Sequence, residues 1–168
     1  LGQWEAGRAW MKADVREIGA VYRPLNNPHL DRRYVRQLEL GGRPMLEKGG
    51  RGLRGLVAHL GRGGIVALLT DQYDRRARAF DFVGRPAPTV TIAADLALKF
   101  RAPLIPAYGV RAPDGLRTAV IIEAPVPHTD ASTMTQAIND SLAAQIRAHP
   151  GQYLWLHRRW SKTLPAPE

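Results

Sequence analysis

The amino-acid sequence predicts an α/β fold with a mixed, mostly parallel central sheet, helices on both faces and a late antiparallel hairpin. Helix-like and strand-like segments alternate along the 168 residues, which is the pattern of a sheet covered by helices. The segment at 65–70, Ile-Val-Ala-Leu-Leu-Thr, is almost continuously apolar, as expected of a strand buried on both faces. Asp114-Gly115 is a turn signal between two strand-like segments, which indicates the hairpin.

The first half of the chain is predicted to alternate between helices and strands. Asn27 is a suitable helix cap and Pro28 fits a first helical turn, so a helix is expected to continue from there until Gly41-Gly42. Its apolar face is predicted to consist of Leu30, Tyr34, Val35 and Leu38. In order, the expected segments are a helix at 4–13, a strand at 17–22, helices at 26–40 and 52–64, and a strand at 65–72.

The second half is predicted to begin with a long polar loop. Residues 73–90 contain several Pro and Gly, and loops of this length are usually functional or mobile. Thr133 and Gln136 are expected to form a capping box for the last helix, whose buried side is predicted to be Met134, Ile138, Leu142 and Ile146. The other expected segments are a helix at 91–102, a strand at 103–111, a hairpin at 112–126 and the last helix at 130–150. Residues 1–168 are predicted to form a single domain.

Composition restricts the partners and the chemistry. The chain has 24 Lys and Arg against 15 Asp and Glu, a formal net charge of +9, and most of the cations are arginines. Arginine binds phosphate and carboxylate in a two-pronged manner, which favours anionic lipid, nucleic acid or an acidic carrier protein, although an Arg-rich proteome explains the bias equally well. The absence of cysteine excludes disulfides, thiol catalysis and cysteine zinc sites. The histidines show no metal-ligand spacing, so neither a metal nor another cofactor is expected.

Three stretches carry candidate binding residues. Arg23 lies at the carboxyl end of one predicted strand, and Asp71 and Gln72 lie at the carboxyl end of another; ligands bind at the carboxyl ends of strands in open α/β sheets. The alternatives are an ordinary surface arginine and a turn cap. The third stretch, Tyr-Leu-Trp-Leu-His-Arg-Arg-Trp at 153–160, suits nucleic acid bases, a phosphate, a membrane interface or docking on the core. Within it, His157 is expected to be structural.

Five blocks of sequence occur in a recognisable order. They are LGQWE at 1–5, VYRPLNNPHLDR at 21–32, TDQ at 70–72 followed by FDFVGRPAPT at 80–89, APLIPAYGVR at 102–111 and PGQYLWLHRRW at 150–160. Through these blocks the chain resembles the late acyltransferases of bacterial lipid A biosynthesis, of the lauroyl and myristoyl type, in the lysophospholipid acyltransferase superfamily. The resemblance extends over nearly the whole chain and implies a glycerolipid acyltransferase-like fold.

The resemblance also implies a catalytic motif. The family carries a histidine separated by four residues from an acid, commonly as His-x-Gly-Asn-Trp-Glu. Aligned with this motif, Glu5 is the acid, Gly2 and Trp4 agree, and Gln3 stands where Asn is usual. The histidine would then precede Leu1. We therefore expect the chain to be the carboxyl-terminal portion of an acyltransferase domain, to lack an amino-terminal membrane helix, the first strand and the catalytic histidine, and to be inactive as it stands.

Glu5 is thus expected to be the catalytic carboxylate, which orients the histidine and stabilises it when protonated. The arginines are expected to bind phosphate. The acid and amide side chains are expected to orient the substrate. The expected substrate-binding residues are Gly2, Gln3, Arg23, Asp71, Gln72, Arg158 and Arg159.

The implied reaction is transfer of a fatty acyl chain from an acyl carrier protein thioester to a hydroxyl of a lipid A precursor, with a His/Glu general-base mechanism. The implied partners are acyl carrier protein, the lipid A precursor and anionic inner-membrane lipid, without nucleic acid. The implied location is the cytoplasmic face of the bacterial inner membrane. Two alternatives remain open. One is a related acyltransferase acting on a phosphatidylinositol mannoside, ornithine lipid or lysophospholipid, and the other is a basic nucleic-acid-binding module.

Overall fold

The computed structural model describes residue 2, residues 4–14 and residues 16–160. Contacts group the described residues from 4 to 68 into an amino-terminal unit, and residues 69–160 with Gly2 into a carboxyl-terminal unit. The described residues form five α-helices and seven strands, so the mixed α/β class predicted from the sequence is present. None of these helices combines the length and apolar character needed to cross a membrane.

The amino-terminal unit is built on a three-stranded parallel sheet with the order β2-β1-β3. Its strands are β1 (Ile18–Tyr22), β2 (Met45–Glu47) and β3 (Ile65–Ala67). Its helices are α1 (Trp4–Asp14), α2 (Pro28–Leu40) and α3 (Gly50–Gly61). The chain leaves β1 through α2 to β2, and then crosses through α3 to β3 on the other side of β1. The direction of winding therefore changes at β1, and ligands bind at the carboxyl end of such a strand.

Local sequence explains the position of α2. The Asn27 side chain accepts hydrogen bonds from the backbone N–H groups of His29 and Leu30, at 2.9 and 3.4 Å, so the predicted cap is confirmed. The predicted apolar face is only partly correct. Leu38 is buried and Val35 is half-buried, whereas Leu30 and Tyr34 are exposed.

Helix α3 packs closely against β2 because glycine faces the strand. A Cβ atom at Gly52 would lie 1.7 Å from the Glu47 carbonyl oxygen, and one at Gly55 would lie 2.9 Å from the Leu46 side chain. Contacts of this kind allow the helix backbone to approach the sheet. Strand β3 ends at Ala67, so the strand predicted to reach residue 72 is too long.

The carboxyl-terminal unit begins with a hairpin where the sequence predicts a loop. Strands β4 (Ala79–Phe82) and β5 (Arg85–Pro88) pair antiparallel. Phe80 and Phe82 are buried while their neighbours in β4 are exposed, which is the alternation of a half-buried strand. Val83 and Gly84 both have positive φ, 56° and 78°, as a two-residue hairpin turn requires. The loop prediction was wrong because Val83-Gly84 is not a common turn signal.

The remaining elements follow the predicted order. They are α4 (Ile92–Phe100), β6 (Ala107–Arg111), β7 (Thr118–Ile122), α5 (Ala131–Ala148) and a short 3₁₀ helix at Pro150–Gln152. Strands β6 and β7 pair antiparallel around the Asp114-Gly115 turn, so the predicted late hairpin is present. The seven described strands are grouped in three sheets, one parallel and two antiparallel.

Helix α5 is capped differently from the prediction. The Asp130 carboxylate accepts the N–H groups of Ser132 and Thr133 at 2.9 and 3.0 Å. The Gln136 side chain instead accepts the N–H of Asp81, at 3.1 Å, and donates to the Asp81 carbonyl, also at 3.1 Å. Because Gln136 is engaged with β4, it does not close the predicted capping box.

The predicted apolar side of α5 is confirmed. Met134, Leu142 and Ile146 are buried, and Ile138 is half-buried. Leu142 and Ile146 join a core that includes both hairpins and residues 150–160, which we call the carboxyl-terminal segment. The buried members of this core are Phe82, Ala87, Tyr108, Leu142, Ile146 and Tyr153.

The close approach of α3 to β2 predicts a position-specific effect of alanine. Gly52→Ala places a Cβ against backbone that cannot move independently, so we expect it to lower the free energy of unfolding by about 3 kcal/mol or more. Gly50→Ala, at the start of the same helix, meets nothing within 4 Å and should be neutral or stabilising by up to about 1 kcal/mol. Urea denaturation measures both, and equal effects would contradict the packing described.

Candidate functional site

The predicted catalytic carboxylate lies on the first turn of α1. Glu5 is exposed, and Arg8 follows it by three residues, so the two side chains share one helix surface. The Arg8 side chain is buried, with 3% of its surface exposed. It donates to the Gly42 carbonyl at 2.8 Å and the Ile18 carbonyl at 3.4 Å. Arg8 therefore fastens the helix that carries Glu5 to the start of the central strand β1 and to the chain after α2.

Besides these carbonyls, the Arg8 guanidinium lies close to an aromatic ring and a sulfur atom. Its guanidinium carbon lies 5.9 Å from the centre of the Trp4 ring, and Nη2 lies 3.1 Å from Met45 Sδ. Burial lowers the pKa of Arg8, and the charge of Glu5 opposes this effect. Since arginine retains its proton at all ordinary pH values, Arg8 is a fixed positive charge beside Glu5.

Gly2 is fixed by backbone contacts within the carboxyl-terminal unit. Its N–H donates to the Gln152 carbonyl at 2.8 Å, and it forms a parallel bridge with Gly109. Its φ is +56°, and a Cβ there would lie 1.9 Å from the Gly109 carbonyl oxygen. Packing alone therefore requires glycine at this position. Gln3, the other predicted binding residue in this stretch, lies outside the described residues.

Arg23 lies where the sequence predicts it, directly after the central strand β1, and its side chain is exposed. The loop after it is held by Asp31, whose carboxylate accepts the Leu25 N–H at 2.8 Å. The backbone N–H of Lys48 donates to the Tyr22 carbonyl at 2.7 Å. Lys48, which follows β2, is therefore a second cation at the same edge of the sheet. Burial, followed by the charges of Asp31 and Glu47, raises the pKa of Tyr22.

Asp71 and Gln72 begin the carboxyl-terminal unit. They come four and five residues after the end of β3, so they do not lie directly at the strand end as predicted. Asp71 is half-buried and Gln72 is exposed. Burial, followed by the charge of Asp71, raises the pKa of Tyr153, and the charge of Asp71 opposes the lowering of the pKa of Arg159 by burial. The fold thus brings two predicted site residues, Asp71 and Arg159, into one neighbourhood.

Arg159 is the centre of a buried network. Its side chain has no exposed surface, donates to the Pro88 carbonyl and donates to Thr89 Oγ1 at 2.5 Å. Its guanidinium carbon lies 4.8 Å from the centre of the Phe82 ring. Burial lowers the pKa of Arg159, while Tyr153 and Asp71 oppose the shift. As placed, Arg159 holds the carboxyl-terminal segment against the β4–β5 hairpin, which supports a structural role.

The neighbouring residues of the same segment differ in their surroundings. Arg158 is exposed and thus available to an external anion. His157 accepts the Tyr73 N–H on Nε2 at 3.0 Å, in agreement with the structural role expected for it. That bond joins the segment to the turn at the start of the carboxyl-terminal unit.

Two functional candidates were missed by sequence reasoning. Arg8 is the third residue after Glu5 on a helix, but nothing in the local pattern distinguishes a buried arginine from a solvated one. Lys48 follows a strand of three residues, which is too short to show a periodicity. Among the described residues, no group of three or more His, Asp or Glu side chains is placed to hold a metal ion.

An open cleft of about 440 Å³ lies on the amino-terminal unit, and it contains none of the predicted site residues. Arg43 and Glu39 form an ion pair across 2.9 Å there, so much of the charge is compensated internally. We assign no ligand to this cleft. It is lined by Lys12, Glu17, Arg36, Glu39, Leu40 and Arg43.

The two consecutive arginines provide a matched test of the buried network. Arg159→Met removes a donor from the Pro88 carbonyl and leaves Thr89 Oγ1 with only the weaker bond from Asn139, so we expect the free energy of unfolding to fall by about 2–3 kcal/mol. Arg158→Met, at the exposed neighbouring position, should leave it unchanged within error. If urea denaturation shows no difference between the two variants, Arg159 does not hold the segment in place.

Comparison with known proteins agrees with the motifs. A family model described as bacterial lipid A biosynthesis acyltransferase matches residues 1–162. The chain is 33% identical over 151 residues to the lipid A biosynthesis lauroyltransferase of Escherichia coli, covering 86% of this chain and 48% of that protein. It is 30% identical over 154 residues to the lipid A biosynthesis palmitoleoyltransferase of the same organism, covering 89% of this chain and 49% of that protein.

A lipid A biosynthesis acyltransferase of Shigella flexneri shows the same 30% identity over 154 residues, with 89% and 49% coverage. The chain thus spans about half the length of the curated relatives it matches. The family model covers nearly all of the chain, and the resemblance read from the sequence blocks is confirmed. The chain belongs to the bacterial lipid A biosynthesis acyltransferase family.

Proposed function

We propose that the polypeptide carrying this chain transfers a fatty acyl group from an acyl carrier protein thioester to a hydroxyl of a lipid A precursor. The observation that supports the proposal most strongly is the position of Glu5. It is an exposed carboxylate on the first turn of a helix that Arg8 fastens to the sheet, and by resemblance it aligns with the acid of the His-x-Gly-Asn-Trp-Glu motif.

The proposed base is a histidine five positions before Glu5 in the polypeptide. Its neutral imidazole takes the proton of the acceptor hydroxyl as the oxygen attacks the thioester carbonyl carbon. The tetrahedral intermediate collapses with cleavage of the carbon–sulfur bond. The imidazolium then returns its proton to the departing thiolate. An ester and a free carrier thiol result, without a metal or other cofactor.

In this mechanism the Glu5 carboxylate accepts a hydrogen bond from the second ring nitrogen. Such a bond selects the tautomer that can act as base, and its negative charge stabilises the imidazolium that forms. Arg8 has a supporting role, because it limits the motion of α1 relative to the sheet and catalytic groups need accurate placement.

The cations at the carboxyl edge of the parallel sheet suit a phosphate. Arg23 is exposed there, and Lys48 shares the edge; together they are proposed to hold a phosphate of the lipid A precursor or of the carrier's phosphopantetheine. Asp71 and Gln72 are proposed to orient substrate, and the exposed Arg158 to contact phosphate or anionic lipid. We do not extend this proposal to Arg159, since its side chain has no exposed surface and its Nη1 and Nη2 atoms donate to Pro88 and Thr89.

Gly2 and Gln3 are proposed to shape the site between the histidine and Glu5. We also propose that the chain forms one acyltransferase domain with the rest of its polypeptide, in which the β2-β1-β3 sheet is part of a larger central sheet. A lipid acceptor places the enzyme at the inner membrane, and an acyl carrier protein donor places the active site on its cytoplasmic face.

Replacement of Glu5 tests the proposed mechanism. In the complete polypeptide, Glu5→Gln keeps the size of the side chain and removes the charge that stabilises imidazolium. We expect kcat for acylation of a lipid A precursor to fall by about 10²-fold or more, with the melting temperature unchanged. Asp14→Asn removes an exposed carboxylate at the other end of α1 and should leave kcat unaltered. Equal rates for wild type and Glu5→Gln would contradict the proposal.

The charge balance predicts how the donor binds. A net charge of +9 should attract an acidic carrier protein, and salt should weaken that attraction. We expect the Kd of acyl carrier protein for the complete polypeptide to rise steadily as salt increases from about 0.1 to about 1 M. Acyl coenzyme A serves as the comparison donor. A Kd for the carrier that is independent of salt would show that electrostatic attraction does not contribute to its recognition.

Supplying lysophospholipid or another membrane glycolipid as acceptor distinguishes the proposed substrate from its alternatives.

A further inference from the structure

The most exposed large apolar side chains of the carboxyl-terminal segment are consecutive. Leu154, Trp155 and Leu156 expose 66%, 50% and 91% of their surface, and we call these three residues the Leu-Trp-Leu tip. Scattered apolar residues on a surface are ordinary, whereas a contiguous group marks an interaction site. The tip lies between the buried Tyr153 and the buried Arg159, so both of its flanks are anchored in the core.

The tip is held in place by specific contacts. Trp155 Nε1 donates to the Pro150 carbonyl at 2.8 Å. The Trp155 ring stacks on Trp160, with centroids 6.4 Å apart and planes 10° apart, and meets the edge of Tyr153 at 5.0 Å. These contacts involve Trp155, while Leu154 and Leu156 stay exposed. The two leucines are therefore exposed on a segment that is held in place by its contacts.

Exposed arginines neighbour the tip along the chain and across one hydrogen bond. Arg158 is exposed two residues after Leu156. The hydrogen bond between the Tyr73 N–H and His157 Nε2 brings the turn after Tyr73 alongside, and that turn carries the exposed Arg75 and Arg76. Two acids, Asp71 and Asp74, lie in the same turn region and are half-buried. Asp74 accepts the Arg76 N–H at 3.0 Å. The exposed charge beside the tip is consequently positive.

We propose that the Leu-Trp-Leu tip inserts into the interfacial region of an anionic bilayer, with the neighbouring arginines contacting lipid phosphates. Leucine and tryptophan bordered by arginine is the combination that binds membrane interfaces, where the apolar side chains enter the acyl boundary and the cations attract anionic headgroups. This inference deepens the proposed function, because it fixes which surface of the carboxyl-terminal unit faces the bilayer holding the acceptor, but its test does not depend on catalysis.

The test uses the complete polypeptide with a single cysteine, since residues 1–168 contain none; any cysteine elsewhere is first replaced. Leu156→Cys is labelled with an environment-sensitive fluorophore. The matched control is Leu116→Cys, because Leu116 is 90% exposed and lies in the turn of the β6–β7 hairpin. Vesicles of phosphatidylethanolamine and phosphatidylglycerol, with and without brominated acyl chains, are compared with neutral phosphatidylcholine vesicles.

We expect the label at 156 to shift to the blue and lose fluorescence to brominated lipid in anionic vesicles, and the label at 116 to do neither. Arg158→Gln should weaken the response at 156. A label at 156 that stays in water overturns the proposal. A label that is already shielded without vesicles overturns it as well, because another part of the polypeptide or a partner protein then covers the tip. Insertion without acyl transfer would reject the proposed function alone, and acyl transfer with a solvated label would reject this inference alone.

Discussion

The burial of the Arg8 guanidinium is the constraint on which the amino-terminal unit depends. Moving a cation out of water is costly unless polar groups replace the lost hydration. Here the carbonyls of Gly42 and Ile18 accept hydrogen bonds from Nη2, whereas the buried Nε has no hydrogen-bond partner. Because these carbonyls lie after α2 and at the start of β1, one side chain couples α1 to two other elements. This coupling also holds in place the first turn of α1, which carries the exposed Glu5.

The carboxyl-terminal unit also contains a buried arginine, Arg159. The guanidinium joins the end of the described chain to β5 through Pro88 and Thr89, and it lies over the Phe82 ring. Asn139 of α5 also donates to Thr89 Oγ1, at 3.3 Å. Strand, helix and carboxyl-terminal segment therefore meet at one hydroxyl. Some aromatic and basic residues of this segment therefore pack in the core. Only its exposed side chains are available to bind a ligand.

Sequence predicted those features that depend on short-range chemistry. Asn27 caps α2 and Asp114-Gly115 turns the late hairpin, because both residue types act on backbone within a few positions. Family membership also followed from residue order alone. The β4–β5 hairpin was missed because Val83 is an uncommon residue at positive φ. The capping box failed because Gln136 binds β4, a tertiary contact that no local pattern reveals.

The site was predictable to the same extent. The motif predicts Glu5 and the strand pattern predicts Arg23 as site residues, and both are exposed, but burial of Arg8 and Arg159 depends on distant segments. Two adjacent arginines, 158 and 159, have opposite environments that sequence does not distinguish. The charge balance of the sequence favours anionic partners, and three-dimensional packing determines which cations are exposed.

The central claim is that Glu5 is the hydrogen-bond partner of a general-base histidine. Nuclear magnetic resonance titration of that imidazole in the complete polypeptide, compared with the Glu5→Gln variant, tests it most directly. A neighbouring carboxylate favours the imidazolium, so the account predicts that the variant lowers the pKa of the histidine by about 1 unit or more and changes the tautomer of the neutral ring. An identical pKa and tautomer in both proteins would contradict it.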